Sequence, residues 1–133
     1  MTRIIPSPKQ RIDACSLRST PQGDLDLAAL AEKLDTVKGR PVILVLICGT
    51  TRKGAPDDIV GAIHLPDAAG YGKDNRYVHV DGALNAMIIP FLQNAPDRIR
   101  AMFDVGIDSM STAGPKMIGT PMPCGAIVAR NAM

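Results

Sequence analysis

The chain has no tryptophan, and its aromatic side chains are Tyr71, Tyr77, Phe91 and Phe103. A core without aromatic bulk must be filled by Ile, Leu, Val, Met and Ala. That suits buried parallel strands and argues against an aromatic-rich sandwich. Nor does the sequence carry a charge excess. Its 15 Lys and Arg stand against 13 Asp and Glu, a net +2, with no basic run or stripe of the kind a dedicated nucleic-acid binder concentrates. Long apolar runs are missing as well. Pro41 to Cys48, the longest, falls far short of the ~20 residues that cross a bilayer. Met1 to Lys9 is charged but lacks an apolar stretch of signal-peptide length. The expectation is a cytoplasmic chain with neither membrane nor nucleic-acid partner.

Cysteines are few. Cys15, Cys48 and Cys124 show no Cys-x-x-Cys spacing and sit in or beside apolar runs, so all three are read as buried, reduced thiols. His64 and His79 have no ligand-spaced partners, which removes the case for a metal site. What is present is ordinary globular material: 133 residues, 46% hydrophobic and 21% charged, with a mean hydropathy of +0.08. Disorder is excluded by that balance, and the length fits one domain over residues 1–133, with 1–9 expected to be flexible.

Along the chain, Gln10 to Leu17 reads as a short strand. Turn chemistry follows from Ser19 to Asp24, and Asp24 is placed to cap a helix carrying Leu27, Leu30, Ala31 and Leu34 on one face up to Lys38-Gly39. Pro41 to Cys48, apolar on both faces, reads as a strand covered by helices on both sides. Asp57 and Asp58 open a second helix that runs to about His64, before Pro66. Tyr77 to Asp81 is a strand, and Ala95-Pro96-Asp97 opens a short helix with Ile99, Met102 and Phe103 inward. Ile107 to Thr112 and Cys124 to Arg130 complete the strands. Strands alternating with helices predict an α/β fold, a mainly parallel sheet with flanking helices.

In such sheets the working residues gather beyond the carboxyl ends of the strands. Gly49-Thr50-Thr51, Asp81 and Lys116 all fall there. Solvated strand-end charges, or a structural ion pair between Asp81 and Lys116, account for two of them without any chemistry. Against that, Met117 to Gly125 is apolar and turn-rich, and an ammonium desolvated there becomes a nucleophilic amine.

The runs Tyr77 to Leu84, Ile89-Pro90-Phe91, Gly106 to Ser109 and Gly114 to Gly125, together with Gly49 to Asp58, are similar to motifs of the pyridoxal-phosphate-dependent group II amino-acid decarboxylases. Among these the chain looks most like bacterial histidine decarboxylases and plant serine decarboxylases. Order and spacing agree from about Arg11 to Arg130. The resemblance implies a fragment of an aspartate-aminotransferase-like (fold type I) large domain, with pyridoxal 5'-phosphate as cofactor. It implies carboxy-lyase chemistry on a small amino acid, histidine- or serine-like, in a homo- or hetero-oligomer. Lys116 stands where the family's lysine forms a Schiff base with the cofactor aldehyde. Asp81 matches the aspartate that bonds the pyridine nitrogen and keeps it protonated. Ala83 matches a small residue against the ring, and the hydroxyls of Thr50 and Thr51 stand at the neighbouring strand end. His79 reads either as a hydrogen-bonded strand histidine or as a base.

Two departures accompany the match. The family reads Ser-Gly-His-Lys where this chain reads Ala113-Gly114-Pro115-Lys116, so a hydroxyl and an imidazole of the phosphate end are replaced; Ser111 or Thr112 would substitute only in a shifted register. The matched region is also about the middle third of a family chain. It leaves out a glycine-rich phosphate loop, a ring-stacking histidine and a strand expected between those of Gln10 to Leu17 and Pro41 to Cys48, exposing unpaired edges. The alternative reading is therefore a truncated, inactive relative that serves as a binding or regulatory subunit, or one piece of a split enzyme.

Overall fold

The computed structural model describes residues 13–130, and the expected flexibility of residues 1–9 lies outside them. Its first strand, β1 (Val42–Ile47), is six apolar residues, four of them β-branched, a composition that favours the extended backbone. It pairs in parallel with β2 (Arg76–Asp81), and β2 pairs in parallel with β3 (Ser109–Ala113). The hairpin strand β4 (Gly125–Ala129) then returns antiparallel along β3. Spatial order equals chain order, β1-β2-β3-β4, so the mainly parallel α/β sheet expected from the pattern is present.

Helices supply the crossovers and cover one face. In α1 (Leu27–Thr36) the Asp26 carboxylate accepts from the backbone N–H groups of Ala28 and Ala29 at 3.0 and 3.2 Å, capping two otherwise orphaned donors. α2 (Ile59–Ala68) begins at Asp58, whose Oδ1 accepts from Gly61 N at 2.9 Å. α3 (Asp97–Arg100) runs into a tighter turn, Ala101–Phe103. Leu30 and Leu34 from α1, Ile59 and Ile63 from α2, and Ile99 and Met102 pack on Leu46, Val78, Val80 and Met110 of the sheet as one buried cluster. With hardly an aromatic in it, the cluster is the aliphatic core that the composition requires.

Several expectations are corrected. Residues 13–17 form no strand, and the remainder of the expected strand, 10–12, lies outside the described residues. The strand expected between this segment and β1 is not among the described ones, so residues 13–17 have no adjacent strand to take their backbone hydrogen bonds. Asp26, not Asp24, caps α1, because Asp24 is tied back to Thr20 across the preceding turn. Ala29 takes the inward place expected of Ala31, which is exposed. α2 passes through Pro66: the ring is fully buried in the core, and the ladder resumes with Ala69 N donating to Leu65 O at 2.9 Å. One missing N–H near the last turn costs less than losing that burial. Cys48 is buried, but Cys15 and Cys124 are exposed. The side chain of Phe103 lies outside those described.

Among the described residues, only one sheet face is covered. Alternation along the strands puts Ile43, Val45 and Ile47 of β1, Tyr77, His79 and Asp81 of β2, and Ser109 and Ser111 of β3 on the other face. Ile43 is 58% exposed there, and Ile127 on β4 74%. The sequence pattern predicts helices on both sides of Pro41 to Cys48. The described residues supply them on one.

Candidate functional site

Asp81 closes β2, opposite Ile47 of β1 and Ser111 of β3. The chain turns sharply after it, and Ala83 N donates to Asp81 Oδ1 at 3.1 Å. One carboxylate oxygen is thereby fixed, while the other has no hydrogen-bond partner among the described residues. Ala83 is half-buried in the same turn.

β1 ends beside this turn, with Cys48 N donating to Asp81 O at 2.8 Å and Asn85 N donating to Cys48 O at 3.3 Å. Gly49 follows at φ +103°, and an added Cβ would run into the Asn85 side chain. Glycine is required there both by the left-handed backbone and by that close approach. The loop beyond is a tight turn: Thr50 N donates to Ala55 O at 2.9 Å, and Thr50 Oγ1 accepts from Ala55 N at 3.2 Å. Thr50 is half-buried with its hydroxyl oxygen in that turn, whereas Thr51 is exposed. Asn85 Nδ2 reaches Gly54 O at 3.4 Å, tying the Thr50 loop to the turn after Asp81.

Asp57 holds the same strand end from below. Its Oδ2 accepts from Ile47 N at 2.7 Å and its Oδ1 from Leu25 N at 2.8 Å, while its own N–H donates to Ile47 O at 2.9 Å. Burial pushes this carboxyl above the ordinary carboxylate range. The two backbone N–H bonds pull it back part of the way, and the charge of Asp24 adds to the rise. Cys48, fully buried next to it, has its thiol pushed up to about 12, chiefly by burial and then by the charges of Asp57 and Asp81. It is a core side chain, not a nucleophile.

Lys116 lies in the wide turn Gly114–Ile118 that leaves β3. The turn is fastened at its base: Gly114 N donates to Cys124 O at 3.0 Å, Thr120 N to Gly114 O at 3.1 Å, and Thr120 Oγ1 to Met122 O at 3.2 Å. An added Cβ on Gly114 would strike Cys124 Sγ and Thr120 Oγ1, so only glycine closes this base. Lys116 is exposed, and so are Met117, Ile118 and Met122. The expected desolvation of the lysine is absent because its apolar neighbours are themselves uncovered. Among the described residues no carboxylate lies within ion-pair distance of it, so the ion-pair reading with Asp81 fails.

Asp81, Ala83, Thr50 and Thr51 are thus joined at the adjacent ends of β1 and β2, and Lys116 follows the next strand in the sheet. A cleft of about 400 Å³ lined by Asn85, Pro56, Ile89, Leu92 and Ile99 opens nearby, but Thr50, Thr51, Asp81, Ala83 and Lys116 do not line it. The hold of Asp57 on Leu25 and the end of β1, and the tie that Asn85 makes between the two loops, escaped sequence reasoning. For Asp57 the one signal was a second aspartate before α2 where one suffices as a cap.

No protein-family model matches the chain. Among curated proteins it is 40% identical over 121 residues to histidine decarboxylase of Morganella morganii, covering 90% of this chain and 31% of that one. Over this segment, the chain is related to the pyridoxal-phosphate-dependent group II decarboxylases. Serine decarboxylase 2 of Oryza sativa subsp. japonica is 36% identical over 120 residues, 90% of this chain and 25% of that relative. Against the structure of L-methionine decarboxylase from Streptomyces sp. 590 the TM-score is 0.64 at 25% identity, covering 83% of this chain and 31% of that one. Tryptophan decarboxylase of Catharanthus roseus shares the fold, with a TM-score of 0.66 at 18% identity over 85% of this chain and 23% of that one. The chain therefore spans about a third or less of the length of these decarboxylases. Its sheet is that part of their fold.

Proposed function

We propose that this chain carries the pyridine-nitrogen and aldehyde ends of a pyridoxal 5'-phosphate site of decarboxylase type. The observation that carries the reading is Asp81. Its carboxylate closes a parallel strand with one oxygen fixed by Ala83 N and the other available to a protonated ring nitrogen. Ala83 offers a small surface against a flat ring, and Thr50 and Thr51 border it. Lys116 brings an exposed primary amine, the group that condenses with an aldehyde. When bound, the cofactor supplies an electron sink for the pair left behind as CO2 departs. The residues fit these two ends and not the phosphate. Ala113 and Pro115 have no side-chain donor to give, the Thr120 hydroxyl is spent on Met122 O, and Ser111 is engaged by His79. Phosphate binding on this reading comes from residues outside the matched segment, and so does much of the pocket for an amino-acid substrate.

Titration of the purified chain with pyridoxal 5'-phosphate tests this. The expected result is a visible absorbance band from lysine-bound cofactor, lost in Lys116→Ala and weakened in Asp81→Ala. No band at millimolar cofactor overturns binding by this chain alone. The uncovered sheet face favours a second reading, in which the chain completes a site together with another polypeptide as one piece of a split enzyme or as a subunit. Appearance of the band only after a partner chain is added would support it.

A further inference from the structure

Two pieces of backbone carry the residues assigned to the cofactor ring. One is the turn after β2, with Asp81 and Ala83; the other is the loop 50–55 after β1. Each is held by its own bonds. In the turn, Gly82 N donates to Ser111 O at 2.9 Å and Ala86 N to Gly82 O at 3.1 Å. In the loop, Gly54 N donates to Thr50 O at 2.7 Å, beside the two bonds between Thr50 and Ala55. These bonds fix the shape of each piece but not the spacing between them.

Asn85 spans the gap. Its backbone is anchored, the N–H donating to Cys48 O at 3.3 Å and the carbonyl accepting from Ile88 N and Ile89 N at 3.0 and 3.1 Å. From that fixed point Nδ2 donates to Gly54 O at 3.4 Å, and Gly54 O has no other donor among the described residues. Only the side chain has to be ordered to make this bond, which keeps its entropic cost low. A Cβ on Gly49 would meet Asn85 Nδ2 and Cγ. Glycine at 49 and the carboxamide at 85 are thus two halves of one joint: the first leaves the room, and the second fills it. Cys48 N to Asp81 O also links β1 to the turn, but at the strand end. Among the described residues, the Asn85 carboxamide makes the bond that reaches the loop itself.

We propose that Asn85 is a positioning residue: its carboxamide sets the spacing between the loop that carries Thr50 and Thr51 and the turn that carries Asp81 and Ala83. The role rests on the reading of those four residues as one border of a cofactor site. Asn85 acts through the loop and is not itself placed against the ring. The chemistry at 85 is specific. A carboxamide nitrogen donates, whereas a carboxylate of the same shape only accepts and would face the Gly54 carbonyl with like charge. Leucine has the same branching and no donor. It also suits the cleft that Asn85 lines with Ile89 and Leu92, so its loss of the bond comes without a loss of packing.

The test compares the full chain with Asn85→Leu and Asn85→Asp. Amide hydrogen exchange without cofactor reads the joint. The Thr50, Gly54 and Ala55 amides, which are bonded inside the loop, are expected to exchange about three- to tenfold faster in both variants, the effect of losing one hydrogen bond. The Val78 and Val80 amides of β2 are expected to keep their wild-type rates. Unchanged loop exchange overturns the proposal, and so does an equal rise in the loop and in β2, the mark of general destabilisation. Absorbance titration with pyridoxal 5'-phosphate reads the site. With Lys116 intact, both variants are expected to bind cofactor more weakly than the wild type by a similar factor. A loosened loop with unchanged cofactor affinity overturns the positioning role. Exchange needs no cofactor, so a failed joint and a failed cofactor reading are told apart. Asn85→Asp, nearly identical in size to the wild-type side chain, decides the matter if the leucine variant does not fold.

Discussion

Asp57 shows how much one buried carboxylate does here. The sequence presents it with Asp58 as a pair opening a helix, and half of that is right, since Asp58 is the cap. What could not be read is that Asp57 turns the other way, to Leu25 N, 32 residues distant, and to the end of β1. A local pattern carries no information about a partner that far along the chain. Asp57→Asn puts an NH2 group against one of two backbone donors and leaves it unpaired, so denaturant unfolding should show a loss of about 1–3 kcal/mol. The pH dependence has a definite sign. Burial raises the folded carboxyl above its unfolded value of ~3.9, so the folded chain binds this proton more tightly than the unfolded one. The contribution is fully present below the unfolded pKa and is lost as pH rises through the raised folded value. The stability gap between wild type and Asp57→Asn is expected to shrink with rising pH across that window. A gap that widens would mean that the two N–H bonds outweigh burial.

At the scale of elements, the strands were the most legible part. β2 and β4 lie within a residue of their expected bounds, because period-2 alternation and flanking turn residues act locally. β3 starts two residues later than expected, since Ile107 and Asp108 serve the turn into the strand; Asp108 N donates to Val78 O at 2.9 Å. The order of strand ends also placed Asp81 and the Thr50 loop together correctly. Less legible was the turn holding Lys116. Its apolar sequence implied burial, but burial depends on what packs over it, and nothing described does. The two departures are Ala113, which closes β3, and Pro115 in this turn, and on the proposed reading they replace two groups that would face a phosphate. Restoring them as Ala113→Ser with Pro115→His is expected to tighten pyridoxal 5'-phosphate binding about tenfold or more. A hydrogen bond to a charged group contributes about 1.5–3 kcal/mol, and tenfold needs about 1.4. Absorbance titration of the double variant measures this. Unchanged affinity would place the phosphate elsewhere in the fold and remove this turn from its binding.

For the whole molecule, a parallel sheet ordinarily has both faces covered and its edges paired or guarded. Among the described residues one face is covered, neither β1 nor β4 has an outer partner, and every residue of β4 is exposed. Gly125–Ala129 carries neither charge nor proline to discourage another strand. Ile127 and Val128 add exposed apolar surface on that strand, and Ile43 and Tyr77 add it on the open face toward β1. Surface of this kind is satisfied by contact with another polypeptide, and in a solution of this chain alone the other polypeptide is a second copy. Sedimentation velocity is therefore expected to show association that grows with protein concentration. Ile127→Lys combined with Ile43→Lys puts one charge on the bare edge strand and one on the open face, and is expected to shift the population toward monomer. Both side chains are more than half exposed, so the variant should unfold within about 0.5 kcal/mol of the wild type per substitution. A wild type that stays monomeric over the whole concentration range would show that this exposed surface does not drive association. A variant that associates as strongly as the wild type would assign the contact to the outer edge of β1 instead, the remaining bare row of backbone donors and acceptors among the described residues.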